Sequence, residues 1–290
     1  MADRGRDVVG LVPAAGTAER IRPIPCSKEI LPLGFRADGP EGRIRPRAVA
    51  EHLLEAIRRG GASRAFVVLR TGKWDIPAFL EEGPAGGPAL AYLVTPGTAG
   101  VPFTLEAALP FVEGQRVLFG FPDILFEPAD ALGRLLDRLD EGDELALGLF
   151  PAARPEKMDM VELGPGGRVE SVVIKPEETD LRHTWILAAW SPGFSEFLGR
   201  WCERSRGRGP GRPEEAAARA PAGEPYLGHV VQAAVDEGME VGSVVFEEGS
   251  YVDVGTPREL AATMVELAGE HAPPSEIGNA SDSDRRDEQP

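Results

Sequence analysis

The chain has 290 residues, with 31 Lys and Arg against 47 Asp and Glu for a formal net charge of −16, and 42% of it is hydrophobic. Such acidity argues against a nucleic-acid-binding surface, which needs an excess of Lys and Arg, but leaves room for one basic pocket. Length and hydrophobic share suit one large α/β domain or two modest ones.

In chain order, Val8 to Pro13 reads as a buried strand closing on the small residues Ala14, Ala15 and Gly16. Ala48 to Arg59 places Val49, Leu53, Leu54 and Ile57 on one helical face, ended by Gly60 and Gly61. Strands are predicted at Ala65–Leu69, Leu90–Val94 and Val117–Gly120, alternating with helices at Trp74–Leu80, Phe103–Phe111 and Pro128–Leu139. This alternation predicts a three-layer α/β domain with a parallel-rich sheet. Beyond Leu145 the rhythm changes to strands at Leu145–Phe150, Met158–Leu163 and Arg168–Ile174, the last two joined through Gly164-Pro165-Gly166-Gly167, a hairpin turn signal. A strand at Thr184–Trp190, a helix at Pro192–Cys202, a helix at Tyr226–Glu237, a strand at Val241–Phe246 and a helix at Pro257–Ala268 complete the domain. Residues 205–223 read as a mobile excursion with a short helix at Glu214–Arg219, and residues from His271 on as a disordered acidic tail. No internal repeat is visible.

Cys26 and Cys202 lack metal-ligand spacing and suggest no disulfide framework. No apolar run has the length of a signal sequence or a bilayer span, so the expectation is a cytoplasmic protein with no membrane partner. No GxGxxG follows any strand, which disfavours a dinucleotide-binding protein.

The first loop, Pro13 to Arg20, lets backbone amides approach a ligand closely, and Arg20 offers a fork of donors for phosphate oxygens. Lys28 follows within Ser27-Lys28-Glu29-Ile30-Leu31-Pro32. Alone, the segment also suits an ordinary strand-to-helix turn with solvated charges. Two acids, Asp123 after Gly120-Phe121-Pro122 and Asp253 within Tyr251-Val252-Asp253-Val254-Gly255-Thr256-Pro257, lie where strands open into loops. Each suits a helix cap as well as a ligand for Mg²⁺, an ion that takes one or two carboxylates plus phosphate oxygens. Lys175 ends a strand, and Gly72-Lys73-Trp74-Asp75-Ile76-Pro77 is a distinctive segment in which Trp74 reads as core.

Ala15-Gly16-Thr17-Ala18-Glu19-Arg20-Ile21-Arg22-Pro23 with Lys28-Glu29-Ile30-Leu31-Pro32 resembles the signature of the sugar-1-phosphate nucleotidyltransferases, which include glucose-1-phosphate thymidylyl- and uridylyltransferases. The aspartate motifs and Lys175-Pro176 follow in the family's order, covering roughly residues 8 to 265. The resemblance implies a Rossmann-like nucleotidyltransferase (GT-A-like) fold with a mostly parallel mixed sheet over residues 1–270. It implies one Mg²⁺ on Asp123 and Asp253, with Arg20 and Lys28 as catalytic cations. Ala14, Ala15, Gly16, Thr17, Ala18, Gly97 and Thr104 would bind the nucleotide, and Glu162 and Lys175 the acceptor. The implied partners are a nucleoside triphosphate, dTTP or UTP, and a sugar 1-phosphate, in an enzyme whose relatives are often dimers or tetramers.

The chain departs from the family pattern at several places, and the stretch between Pro23 and Lys28 is about two residues shorter than the pattern. Ala18 stands for a loop glycine, Glu19 for Thr, Asp159 for Gly, and Ile174 for the Glu that contacts sugar hydroxyls. No Gln matches the base-reading one. Transfer to another phosphorylated alcohol, and a silent nucleotide-sugar sensor, therefore stay open beside sugar-phosphate transfer.

Overall fold

The structure, a computed structural model, describes residues 7–38, 43–207 and 224–271. In chain order it runs β1 (Val8–Ala14), a hairpin of β2 (Pro32–Asp38) and β3 (Arg43–Ala48), α1 (Val49–Arg59), β4 (Arg64–Arg70), α2 (Asp75–Leu80) and β5 (Ala89–Thr95). Then come α3 (Val101–Glu106), β6 (Arg116–Gly120), β7 (Ile124–Glu127), α4 (Ala131–Asp140), β8 (Leu145–Pro151), β9 (Asp159–Leu163) and β10 (Val169–Ile174). β11 (His183–Trp190), α5 (Pro192–Ser205), α6 (Leu227–Asp236), β12 (Val241–Val245), β13 (Ser250–Asp253) and α7 (Pro257–His271) finish it.

Nine strands form the main sheet. β1 lies between β4 and β6 in parallel, and β5 extends the sheet beyond β4. On the other side β11 pairs antiparallel with β6 and, along its opposite edge, with β8, which β12 continues in parallel. The first residues of β11 also pair with β9, and β9 with β10. Only β10 and β11 run against the other strands, so the sheet is mixed but mostly parallel, as the sequence predicts.

Both faces are covered, which explains why β1 reads as a continuous apolar run rather than an alternation. One face packs Leu53, Leu54 and Ile57 of α1 with Leu132, Leu135 and Leu136 of α4. The other packs Leu105 of α3, Phe194, Phe197 and Leu198 of α5, and Val230 and Val231 of α6. These are the three layers. Among the described residues, no helix is long and apolar enough to cross a membrane.

Three features depart from the sequence reading. The helix expected over 103–111 stops at Glu106, and only a single turn follows at Leu109–Phe111. Pro110 lacks the N–H that would continue the ladder. The β2–β3 hairpin was not predicted. Its arginines, Arg36, Arg45 and Arg47, lie along Glu51 and Glu55 of α1 in place of apolar side chains. Trp74 is 55% exposed rather than core. The expected helix at 214–219 and the acidic tail beyond 271 lie outside the described residues.

Gly10 marks how tightly α1 sits on the sheet. A Cβ there would lie 2.7 Å from Ile57 Cγ2 and 2.8 Å from the Ala65 Cβ on β4. Gly10→Ala should therefore cost about 1–3 kcal/mol by overpacking. Urea unfolding checks this, and an unchanged midpoint would mean that α1 shifts freely over β1.

Candidate active site

The C-terminal ends of β1, β4, β5 and β6 open into a cavity of about 780 Å³, the usual place for a ligand in an open α/β sheet. Ala15, Gly16, Thr17 and Arg20 line it from the first loop, and Lys28 from the next turn. Gly97 and Thr104 line it from the segment after β5, and Asp123 and Asp253 from opposite ends of the sequence. Nine of the predicted site residues thus meet at one cavity.

The first loop turns on Ala18, which adopts the left-handed conformation (φ 57°, ψ 33°) where the resembling family has glycine. An L-residue there carries roughly 1–2 kcal/mol of strain. Glu19 is exposed and does not line the cavity, so its carboxylate does not oppose an anion bound there. Arg20 reaches Asp253 at 3.8 Å between Nη2 and Oδ2.

The two acids are brought together by β7 and β13, which pair antiparallel with Asp253 opposite Ile124. The Val254 N–H donates to the Asp123 carbonyl at 2.9 Å. A Cβ on Gly255 would lie 2.7 Å from Asp253 Oδ1 and 2.8 Å from Arg20 Nη2, so the glycine of this motif makes room for the pair. Thr256 then caps the start of α7 with its side chain. Its Oγ1 donates to Glu259 Oε2 at 2.8 Å and accepts the Glu259 N–H at 3.3 Å, ahead of Pro257 at the first turn.

The charge balance decides what the cavity can hold. Arg20, Lys28 and Arg70 face Glu29, Asp123, Glu224 and Asp253 across its lining. The Lys28 ammonium binds the Asp123 carboxylate. Burial works to lower the Lys28 pKa, but Asp123, with help from Glu29 and Asp253, more than offsets it and holds the ammonium above its ordinary value. Burial, then the charge of Asp123, pushes the Asp253 carboxyl up against Arg20 and Lys28. Asp253 Oδ1 is buried with no hydrogen-bond partner among the described residues. A triphosphate alone would add negative charge to a lining already short of cations. The carboxylate pair with an orphaned oxygen fits a divalent cation of the Mg²⁺ type, which needs only one or two carboxylates beside phosphate oxygens. No group of three or more His, Cys, Asp or Glu able to hold a metal occurs among the described residues.

Some contributors were not legible in the sequence. Lys73 donates to the Ala14 carbonyl at 2.9 Å and to Glu29 Oε1 at 2.6 Å, while both oxygens of Asp75 accept from Ser27. Burial pushes Glu29 up and Lys73 down by more than their mutual attraction restores. Arg70 and Glu224 also reach the cavity. Gly100 is required there, since a Cβ would lie 2.5 Å from the Pro225 carbonyl.

Four expected residues are not on the cavity wall. Ala14 is buried at the strand end, with its carbonyl held by Lys73. Ala18 serves the bend rather than the lining. Glu162 is exposed on β9 and accepts from Ser171 Oγ at 2.8 Å. Lys175 has its ammonium 3.5 Å from the centroid of the Tyr226 ring, two residues from the cavity-lining Glu224.

No family model matches the chain. The bifunctional protein GlmU of Rhizorhabdus wittichii is 28% identical over 219 residues, covering 74% of this chain; the chain spans about half the length of that relative (45%). A crystal structure from Bacillus anthracis, assigned as a glucose-1-phosphate thymidylyltransferase in complex with sucrose, superposes with a TM-score of 0.72 at 17% identity. It covers 90% of this chain and 95% of its own. The sequence likeness to GlmU and the shared fold agree with the resemblance to the sugar-1-phosphate nucleotidyltransferases.

Against that family's pattern, Ile174 and Asp159 turn out to be one local change. Both pack on Gly228 at the start of α6, where a Cβ would lie 2.4 Å from Ile174 Cδ1 and 2.5 Å from Asp159 Oδ2. Burial pushes Asp159 up to about 6, opposed in part by Lys175 and by a hydrogen bond from the Gly228 N–H. Because the folded value lies above the ordinary 3.8, this carboxyl costs stability as pH rises between the two values, and in full above about 6. Asp159→Asn should stabilise the protein at pH 7.5 by roughly 3 kcal/mol at most, with little gain at pH 3.5. Urea midpoints at the two pH values test this; equal midpoints for variant and parent at pH 7.5 would contradict it.

Proposed function

We propose that this chain is a divalent-metal-dependent nucleotidyltransferase that joins a nucleoside triphosphate to a sugar 1-phosphate and releases pyrophosphate. UTP and dTTP are the triphosphates to test first. The observation that carries the reading is the convergence of Asp123 and Asp253 beside Lys28 and Arg20 on one cavity. The sequence likeness to GlmU and the shared fold support it.

Such a transfer needs no protein nucleophile. An oxygen of the acceptor phosphate attacks the α-phosphorus, the bond from that phosphorus to the bridging oxygen breaks, and pyrophosphate leaves. Catalysis is then positioning and charge neutralisation. Asp123 and Asp253 would hold Mg²⁺, which supplies charge for the phosphate oxygens. Lys28, released from Asp123, shares the charge on the α-phosphate, and Arg20, released from Asp253, steadies the departing pyrophosphate. The amides of Ala15, Gly16 and Thr17 receive the triphosphate. Gly97 and Thr104 flank the base. Thr104 Oγ1 already pairs with Thr98 Oγ1 at 2.5 Å, which limits its freedom to read a base directly. Lys175 would swing from Tyr226 to the acceptor phosphate, and Glu162 would lie farther out on the acceptor side.

The packing of Ile174 and Asp159 on Gly228 favours a second acceptor class, a phosphorylated alcohol other than a hexose. An isoleucine cannot accept a hydrogen bond from a sugar hydroxyl. The sensor reading rested on Glu19 and loses its motive, because that side chain stands outside the cavity.

Pyrophosphate release with Mg²⁺, across triphosphates crossed with sugar 1-phosphates and other phosphorylated alcohols, tests the proposal. One productive pair is expected, and Asp123→Ala and Asp253→Ala should each lower its kcat by about 10²–10³-fold while the protein stays folded. Near-parental turnover in both variants would defeat the assignment.

A further inference from the structure

The segment after β4 puts two side chains, Lys73 and Asp75, under the site without lining the cavity. Lys73 is 9% exposed and Glu29 1% exposed. The single ammonium of Lys73 bonds the carbonyl of Ala14, 59 positions back, and the carboxylate of Glu29, 44 positions back. Asp75 accepts the Ser27 N–H at 2.6 Å and the Ser27 Oγ at 2.8 Å. The first contact lies at the mouth of the phosphate loop, and the other two on either side of Lys28. The one-turn helix at Lys28–Ile30 has no side-chain cap of its own from Ser27, so its placement depends on these outside partners.

A buried ion pair of this kind is a poor source of net stability. Desolvating two charges offsets most of their attraction, and an apolar pair of similar volume serves a core as well or better. What an apolar pair cannot do is fix two separate chain segments with directional bonds from one atom. We propose that Lys73 and Asp75 are positioning residues, which hold the Lys28 turn and the phosphate loop in register so that both address the same phosphate groups. The inference rests on the nucleotidyl-transfer reading and deepens it. It also gives the otherwise opaque Gly72-Lys73-Trp74-Asp75 segment a role.

The test combines turnover with hydrogen exchange of backbone amides in the full chain. Lys73→Met should lower kcat by about tenfold to a hundredfold, since small misplacement of a reacting group has that effect. KM for the triphosphate should change by less than about threefold, with kcat referred to the folded fraction measured by circular dichroism, because loss of folded protein would also lower apparent kcat at constant KM. In a Lys28→Ala background the same substitution should cost less than about twofold, because residues acting through one another are non-additive. Exchange should quicken in residues 14–18 and 27–31 while the amides of β4 and β6 stay protected. Asp75→Ala should behave alike, with the change centred on 27–31.

Lys73→Met leaves the Glu29 charge buried alone and risks unfolding. The double variant Lys73→Met with Glu29→Leu removes both charges; it should fold and still show the low kcat. Multiplicative losses in the Lys28→Ala background, parental kcat in the double variant, or unchanged exchange in 14–18 and 27–31 would each overturn the proposal. If the parent releases no pyrophosphate with any pair, the transfer reading falls on its own. The exchange data then decide alone whether Lys73 ties the two segments.

Discussion

The site depends on one short pairing, that of β7 with β13. Four residues on each side place Asp253 opposite Ile124, and the Val254 N–H fastens the second segment to the Asp123 carbonyl. The pairing lies outside the nine-stranded sheet and is held from several directions. Val254 is buried with Leu33 and Val49, against which Leu125, Leu260 and Leu267 pack. Tyr251 meets the Phe150 ring edge-on at 6.1 Å. The Thr256 side-chain cap starts α7 at once, so Asp253 has little slack. This packing has to overcome the burial of Asp253, whose Oδ1 has no hydrogen-bond partner among the described residues, and its repulsion by Asp123; burial first and that charge second raise its carboxyl.

The remaining features answer the charge that this pairing creates. Lys28 and Arg20 each bind one of the two acids, so the cations that would meet phosphate oxygens are stored on the carboxylates that would meet a metal. On the proposed reading a metal–triphosphate complex would exchange both pairs, Asp123 and Asp253 holding the cation while Lys28 and Arg20 meet phosphate oxygens. The lining carries three cations against four carboxylates, which on that reading suits such a guest better than a bare anion. Lys73, beneath the lining, bonds the Ala14 carbonyl and Glu29, and so ties the two cation-bearing segments to each other.

How far the sequence could be read followed the range of the interactions involved. The alternation of apolar runs and helical faces disclosed the parallel half of the sheet, because each run is buried on both faces. The Asp253-to-Pro257 motif was legible because three local demands fall in five residues: a charged group, room beside it, and a helix start. Lys73 and Asp75 were opaque because their partners lie tens of residues away and buried lysines are rare. The β2–β3 hairpin was missed because arginine stems, rather than alternating apolar side chains, face Glu51 and Glu55 of α1. Glu162 and Lys175 rested on the family resemblance alone, and the cavity wall does not include them. The change at Ile174 and Asp159 could be seen in sequence as two departures, but only the fold joins them at Gly228.

The central claim is that the Asp123–Asp253 pair makes the cavity a site for a metal–triphosphate complex. The most direct measurement is calorimetric titration of the protein with a nucleoside triphosphate, with and without Mg²⁺, on the parent and on Asp253→Asn. The account predicts that Mg²⁺ tightens binding to the parent by about tenfold or more, equivalent to at least about 1.4 kcal/mol, and that this gain is lost in the variant. Tight binding to the parent without the metal, or a Mg²⁺ gain that survives in Asp253→Asn, would contradict it.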